Sequence, residues 1–178
     1  MNHPLIKPLR IVLAADRSEA SRQKWEEWTN YLIDQKIDLI DLMDLLDAEH
    51  PIAMRFTWLL GHILVKAPDR IAPIVSHCFN RRDELTFPGI KRTIAKMIWL
   101  AGVPEELEGL VVDELFKWVL SPQIKVAVKV YSISALYDFS VKYPDLQEEL
   151  LLVIDDQLDK NPVAFSARAR KILKLLRQ

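Results

Sequence analysis

Apolar residues recur along this chain at intervals of three and four rather than two. After Pro88, Ile90, Ile94, Met97, Ile98 and Ala101 follow the i, i+4, i+7, i+8, i+11 rule that places one apolar stripe on an α-helix. After Pro144, Leu146, Leu150, Val153, Ile154 and Leu158 do the same, whereas strands would alternate. Carried along the chain, the pattern predicts a short helix near residues 4–15 and helices at about 18–34 and 37–48. Seven more follow at 51–67, 69–82, 88–102, 104–120, 122–142, 144–160 and 162–177. The predicted class is all-α.

Prolines punctuate this series. A proline is tolerated in the first helical turn, where its missing N–H has no intrahelical partner, so a spaced set marks helix starts. Pro68, Pro104 and Pro144 each precede acids that favour a helix N-terminus: Asp69; Glu105, Glu106 and Glu108; and Asp145, Glu148 and Glu149. A single basic residue recurs upstream of each, at Arg55, Lys91 and Lys129, and Arg168 completes the set with steps of 36, 38 and 39 residues. That period belongs to paired-helix solenoids, in which each unit buries its apolar faces only against its neighbours. The expectation is an α-α superhelix of about four to five helix pairs, a single domain over 1–178 with residues 1–17 as an N-terminal extension.

Composition agrees with a folded, soluble chain: 50% hydrophobic and 28% charged over 178 residues. The uncharged stretch between Arg55 and Lys66 is ten residues long and contains Gly61 and His62, too short to cross a bilayer. The N-terminus has an apolar run of five residues after Arg10 and no clear small-residue cleavage site, so no signal peptide is expected. The single cysteine, Cys78, forms no intrachain disulfide, and a cytoplasmic location is the expectation.

The segment SPQIKVAVKVYSISALYDFSVKYPDLQEELLLVIDDQL, followed by FSARARKIL, resembles an uncharacterised bacterial family of HEAT-like repeat proteins, with similarity reaching back to about residue 20. The resemblance implies a HEAT-like solenoid without an established activity. Some members carry the name adenylosuccinate lyase, but the SSxMPxKxN loop that bears the catalytic serine of that lyase superfamily is absent here.

Charge is distributed unevenly between the two helices of each predicted pair. If the acid-starting helices are outer and the others inner, the inner segments 51–67, 88–103, 122–143 and 162–178 hold 13 basic residues and one acid, Asp138. The outer segments 104–120 and 144–161 hold 11 acids against Lys117 and Lys160, and residues 16–50 hold 10 acids against four bases. A formal net charge of −1 therefore conceals a predicted basic inner surface. Helical spacing names its residues: Arg55, His62 and Lys66; Arg92, Lys96 and Trp99; Lys125, Lys129 and Ser132; Arg170, Lys174 and Arg177. Such a strip suits phosphates, which accept hydrogen bonds from Arg and Lys, and equally an acidic protein segment.

A plainer reading stands beside that one. A basic residue early in an inner helix can pair with an acid near the preceding turn, and Asp47 or Glu49 precedes Arg55, Asp83 or Glu84 precedes Lys91, and Asp159 precedes Arg168. Lys129 has no such acid. For these four positions a packing or ion-pair ladder is favoured over a ligand role, and the remaining cations fit a solvated helix face as well as a binding strip. Of the five tryptophans, Trp25, Trp28, Trp58 and Trp118 read as core, while Trp99 shares a face with Arg92 and Lys96, where it could stack on a base.

The histidines, His3, His50, His62 and His77, lack ligand spacing, so no metal is expected, and Cys78 reads as a small buried hydrophobe. No serine, histidine and acid set, phosphate loop or catalytic carboxylate pair stands out, and neither a catalytic residue nor a cofactor is assigned. The leading expectation is a non-catalytic scaffold binding an acidic protein or peptide on its inner face, away from any membrane. A nucleic-acid-binding protein is the alternative. A glycosylase resembling the DNA alkylation repeat enzymes comes third, with Trp58, Trp99 and Asp138 as loose analogues.

Overall fold

The apolar stripes become helices in the computed structural model, which describes residues 3–87 and 89–177. In chain order these are α1 (Ile6–Ala14), α2 (Glu19–Asp34), a 3₁₀ stretch (Leu39–Asp47), α3 (Ile52–Lys66), α4 (Pro68–Asn80) and α5 (Ile90–Ala101). Four follow: α6 (Glu105–Leu120), α7 (Val126–Lys142), α8 (Leu146–Gln157) and α9 (Val163–Leu176). Among the described residues there is no strand.

Helix starts follow the punctuation. Pro68 is the first residue of α4, and Pro51, Pro104 and Pro162 sit at the N-caps of α3, α6 and α9. Asp145 stands at the N-cap position of α8, one residue after Pro144, without a side-chain capping bond, and α7 starts later than predicted, with Lys125 at its N-cap. Pro88, expected to open α5, lies outside the described residues. Acids occupy the first turns of α4, α6 and α8, and lysines the last turns of α3, α7 and α9, as the helix dipole favours.

The chain divides into two compact units, Met1–Ala101 and Gly102–Gln178. In the first, α2, α3 and α5 follow one another in a row, and the 3₁₀ stretch and α4 form a second row packed on α3. Because α3 meets α1, α2, the 3₁₀ stretch, α4 and α5, it is apolar on most sides: Ile52, Ala53, Met54, Phe56, Leu59, Leu60, Ile63 and Leu64 are all buried. In the second unit α7 plays that part, packed against α6, α8 and α9, with α6 and α8 also in contact. Val111, Leu115, Ile133, Leu150, Ile154, Phe165 and Ala169 form its solvent-free centre. The basic-segment helices share a row within each unit, and in the first unit that row also contains the acid-rich α2.

Polar contacts join the rows. Glu108 in the first turn of α6 accepts hydrogen bonds from Lys142 Nζ (2.8 Å) and Tyr143 Oη (2.6 Å) at the end of α7. Partial burial pushes the Glu108 carboxyl up, but those two bonds together outweigh it and hold the group below its ordinary value.

Candidate functional site

The four phased basic residues are each held by their own unit, in ways the sequence only partly foretold. Lys91 Nζ pairs with Asp83 at 2.9 Å, one of its two expected partners. Arg55 does not meet Asp47 or Glu49, which pair instead with Arg81 and Arg10. Its guanidinium donates to the carbonyl of Leu13 (2.7 Å) and to that of Ala15, closing the C-terminal end of α1. Arg168 Nε donates to Ser134 Oγ on α7 (2.8 Å) rather than to Asp159 as expected from sequence. Lys129, only 3% exposed, donates to Gln157 Oε1 on α8 at 3.3 Å, and burial lowers its pKa.

Arg55 also helps build a cleft. Asp16 accepts from Ser18 N (3.1 Å) and Ser21 Oγ (2.8 Å), and Ser18 caps α2 by accepting from Ser21 N. That turn sets Arg17 over the ring of Trp58 at 5.1 Å, while Arg55 lies over Trp25 at 5.5 Å. The two indoles meet edge to face, 6.1 Å apart at 63°, and Trp25 Nε1 donates to the Val12 carbonyl. Between α2 and α3 this leaves a cleft of about 490 Å³. Arg22, Trp25, Glu26 and Thr29 line it from α2, and Trp58, Leu59, His62 and Lys66 from α3, with Arg17 and Arg55. Glu26 supplies its one carboxylate, bonded to Lys66 Nζ at 3.1 Å, and Lys66 also donates to Asn30.

The expected site residues therefore separate into groups. Arg55, His62 and Lys66 come together at the cleft. Arg92, Lys96 and Trp99 lie on α5, Arg92 exposed and the other two half-buried, and none of them lines the cleft. Lys125, Lys129, Arg170, Lys174 and Arg177 belong to the second unit, where Arg177 pairs with Asp155 at 3.0 Å. Among the described residues, Arg92, Lys96, Lys125, Arg170 and Lys174 enter no ion pair.

Arg17, Arg22 and Trp25 were missed from the sequence. Their signal was weak: Arg17 and Arg22 stand among acids, and Trp25 and Trp58 read as core, whereas both are half-buried. Trp118, by contrast, is buried at 3% as expected. Cys78 is buried, and burial pushes its thiol up to about 12.

Two rows of packed helices in each unit, with phased basic residues engaged internally, define a helical-repeat protein without strands among its described residues. The family model described as HEAT repeat domain matches residues 16–176, and the chain belongs to that family. No curated protein and no solved structure matches it. Among the described residues no helix is long and apolar enough to cross a membrane.

Proposed function

We propose that this chain is a non-catalytic scaffold that binds an acidic protein or peptide through cationic faces of its basic-segment helices. The observation that carries the reading is the division of those cations into two sets. Arg55, Lys66, Lys129 and Arg177 have partners inside the protein. Arg92, Lys96, Lys125, Arg170 and Lys174 have no ion-pair partner among the described residues. Carboxylates on a partner would complete the second set, and electrostatic complementarity of this kind governs specificity and association rate.

At the cleft, an acidic segment fits better than nucleic acid because of Trp25 and Trp58. Sequence-tolerant single-strand binding relies on open aromatic faces on which bases stack. Here Arg17 lies over Trp58 and Arg55 over Trp25, and Arg55 is held in place by two backbone carbonyls. Titration with a glutamate-rich polypeptide, in parallel with an oligonucleotide, tests the reading. The polypeptide should bind saturably at low salt, weaken as salt rises, and lose binding to the Arg92→Glu, Lys96→Glu double variant. Tighter binding of the oligonucleotide, with a steep salt dependence, would overturn it.

A further inference from the structure

We infer that the cleft between α2 and α3 anchors the acidic segment by taking one bulky apolar side chain flanked by carboxylates, with Glu26 standing in for one of those carboxylates when the cleft is empty; this rests on the scaffold reading above. The cleft combines two chemistries that a purely polyanionic ligand would not need. Its walls are apolar, with Trp25, Trp58 and Leu59, and about 490 Å³ exceeds the volume of any single side chain. Its rim is cationic, with Arg17, Arg22 and Lys66. The edges of the half-buried indoles Trp25 and Trp58 accept an aliphatic side chain by shape alone, with no demand for the ring faces that Arg17 and Arg55 lie over.

Glu26 is placed as an exchangeable occupant of the rim. Its carboxylate bonds Lys66 Nζ at 3.1 Å, but the two side chains are 69% and 40% exposed, the setting in which an ion pair contributes little. A ligand carboxylate can therefore replace it, and Lys66 keeps its bond to Asn30 Oδ1 (2.9 Å), which holds the ammonium at the cleft during the exchange. Removing the Glu26 charge should help every acidic ligand that uses this rim.

The test uses the full chain and two short glutamate-rich peptides, one with a single central leucine and one with alanine there, read by calorimetry or fluorescence anisotropy. The leucine peptide should bind about tenfold more tightly. Glu26→Gln should tighten both peptides about threefold at low salt, and Arg22→Glu should weaken both. Glu26 and Arg22 are exposed, so these variants leave the core intact. Equal affinity for the two peptides, or no gain from Glu26→Gln, overturns the inference. If in that case Arg92→Glu with Lys96→Glu still abolishes binding, the scaffold reading stands and the cleft is not the anchor. Failure of both peptides to bind the unmodified protein removes the scaffold reading itself.

Discussion

Arg55 and Lys129 occupy the same phase of the repeat and both are buried, yet their environments differ in what each side chain satisfies. Arg55 caps two carbonyls at the end of α1, so Arg55→Met leaves both without a donor. Loss of hydrogen bonds to a charged group should lower unfolding stability by roughly 1.5–3 kcal/mol in urea denaturation. Lys129 makes one long bond to Gln157 Oε1, and that oxygen also accepts from Asn161 Nδ2 at 3.1 Å. Lys129→Met removes a buried charge without orphaning its partner, so stability should be unchanged or higher by the same measurement. Cys78 belongs to the same scale: its thiol, held up to about 12 by burial, should resist a thiol reagent at neutral pH until denaturant is added. Rapid labelling of the native protein would contradict its packing. Asp16 gives the acid side. Hydrogen bonds from Ser18 and Ser21 hold its carboxyl down from 3.8 to about 2, so folding favours the ionised form. Its stabilisation is fully present above pH 3.8 and is lost as pH falls through about 2. An acid titration followed by circular dichroism should therefore be shallower in this range for Asp16→Asn than for the unmodified protein.

The helices were legible in the sequence because their apolar stripes and prolines agree, and α3, α6 and α9 begin and end within two residues of their predicted limits. The 3₁₀ stretch was not, although its signal is present. Asp38, Asp41, Asp44 and Asp47 recur every three residues, as do Leu39, Leu42 and Leu45, and three residues per turn puts each set on its own side. The aspartates are exposed and the leucines buried; an α-helix would have wound the aspartates around half its circumference. The ends of elements carry their own test. Gly102 follows α5 at φ +76°, where a Cβ meets no atom but the backbone conformation resists any L side chain. Gly102→Ala should cost about 1 kcal/mol, whereas Gly61→Ala inside α3, with open space at its Cβ, should gain about 0.5–1 kcal/mol in thermal or urea unfolding. The candidate cleft was half legible: Arg55, His62 and Lys66 share a stripe on α3, but what faces them depends on how α1 ends and α2 begins. No periodicity encodes the turn from Ala15 to Ser18 that sets Arg17 over Trp58.

At the scale of the molecule, the second unit separates the basic-segment helices α7 and α9 from the acid-starting helices α6 and α8, so a formal net charge of −1 hides an uneven distribution of charge. Some of those charges neutralise each other across the rows, as Glu108 does with Lys142 and Asp155 with Arg177. Arg92 and Lys96 of α5, Lys125 at the start of α7, and Arg170 and Lys174 of α9 have no such ion-pair partner among the described residues, and they are the basis for expecting an acidic partner. The sequence anticipated this division in part, since phase sets Arg55, Lys91, Lys129 and Arg168 apart; Lys66 and Arg177 carry no such mark, and only packing pairs them with Glu26 and Asp155. The most direct test is calorimetric titration of a glutamate-rich polypeptide into the unmodified protein and into the Arg92→Glu, Lys96→Glu variant at low salt. Saturable binding that disappears in the variant, with its fold intact by circular dichroism, is the expected result. Binding of equal strength to both proteins, or none to either, would contradict the proposed function.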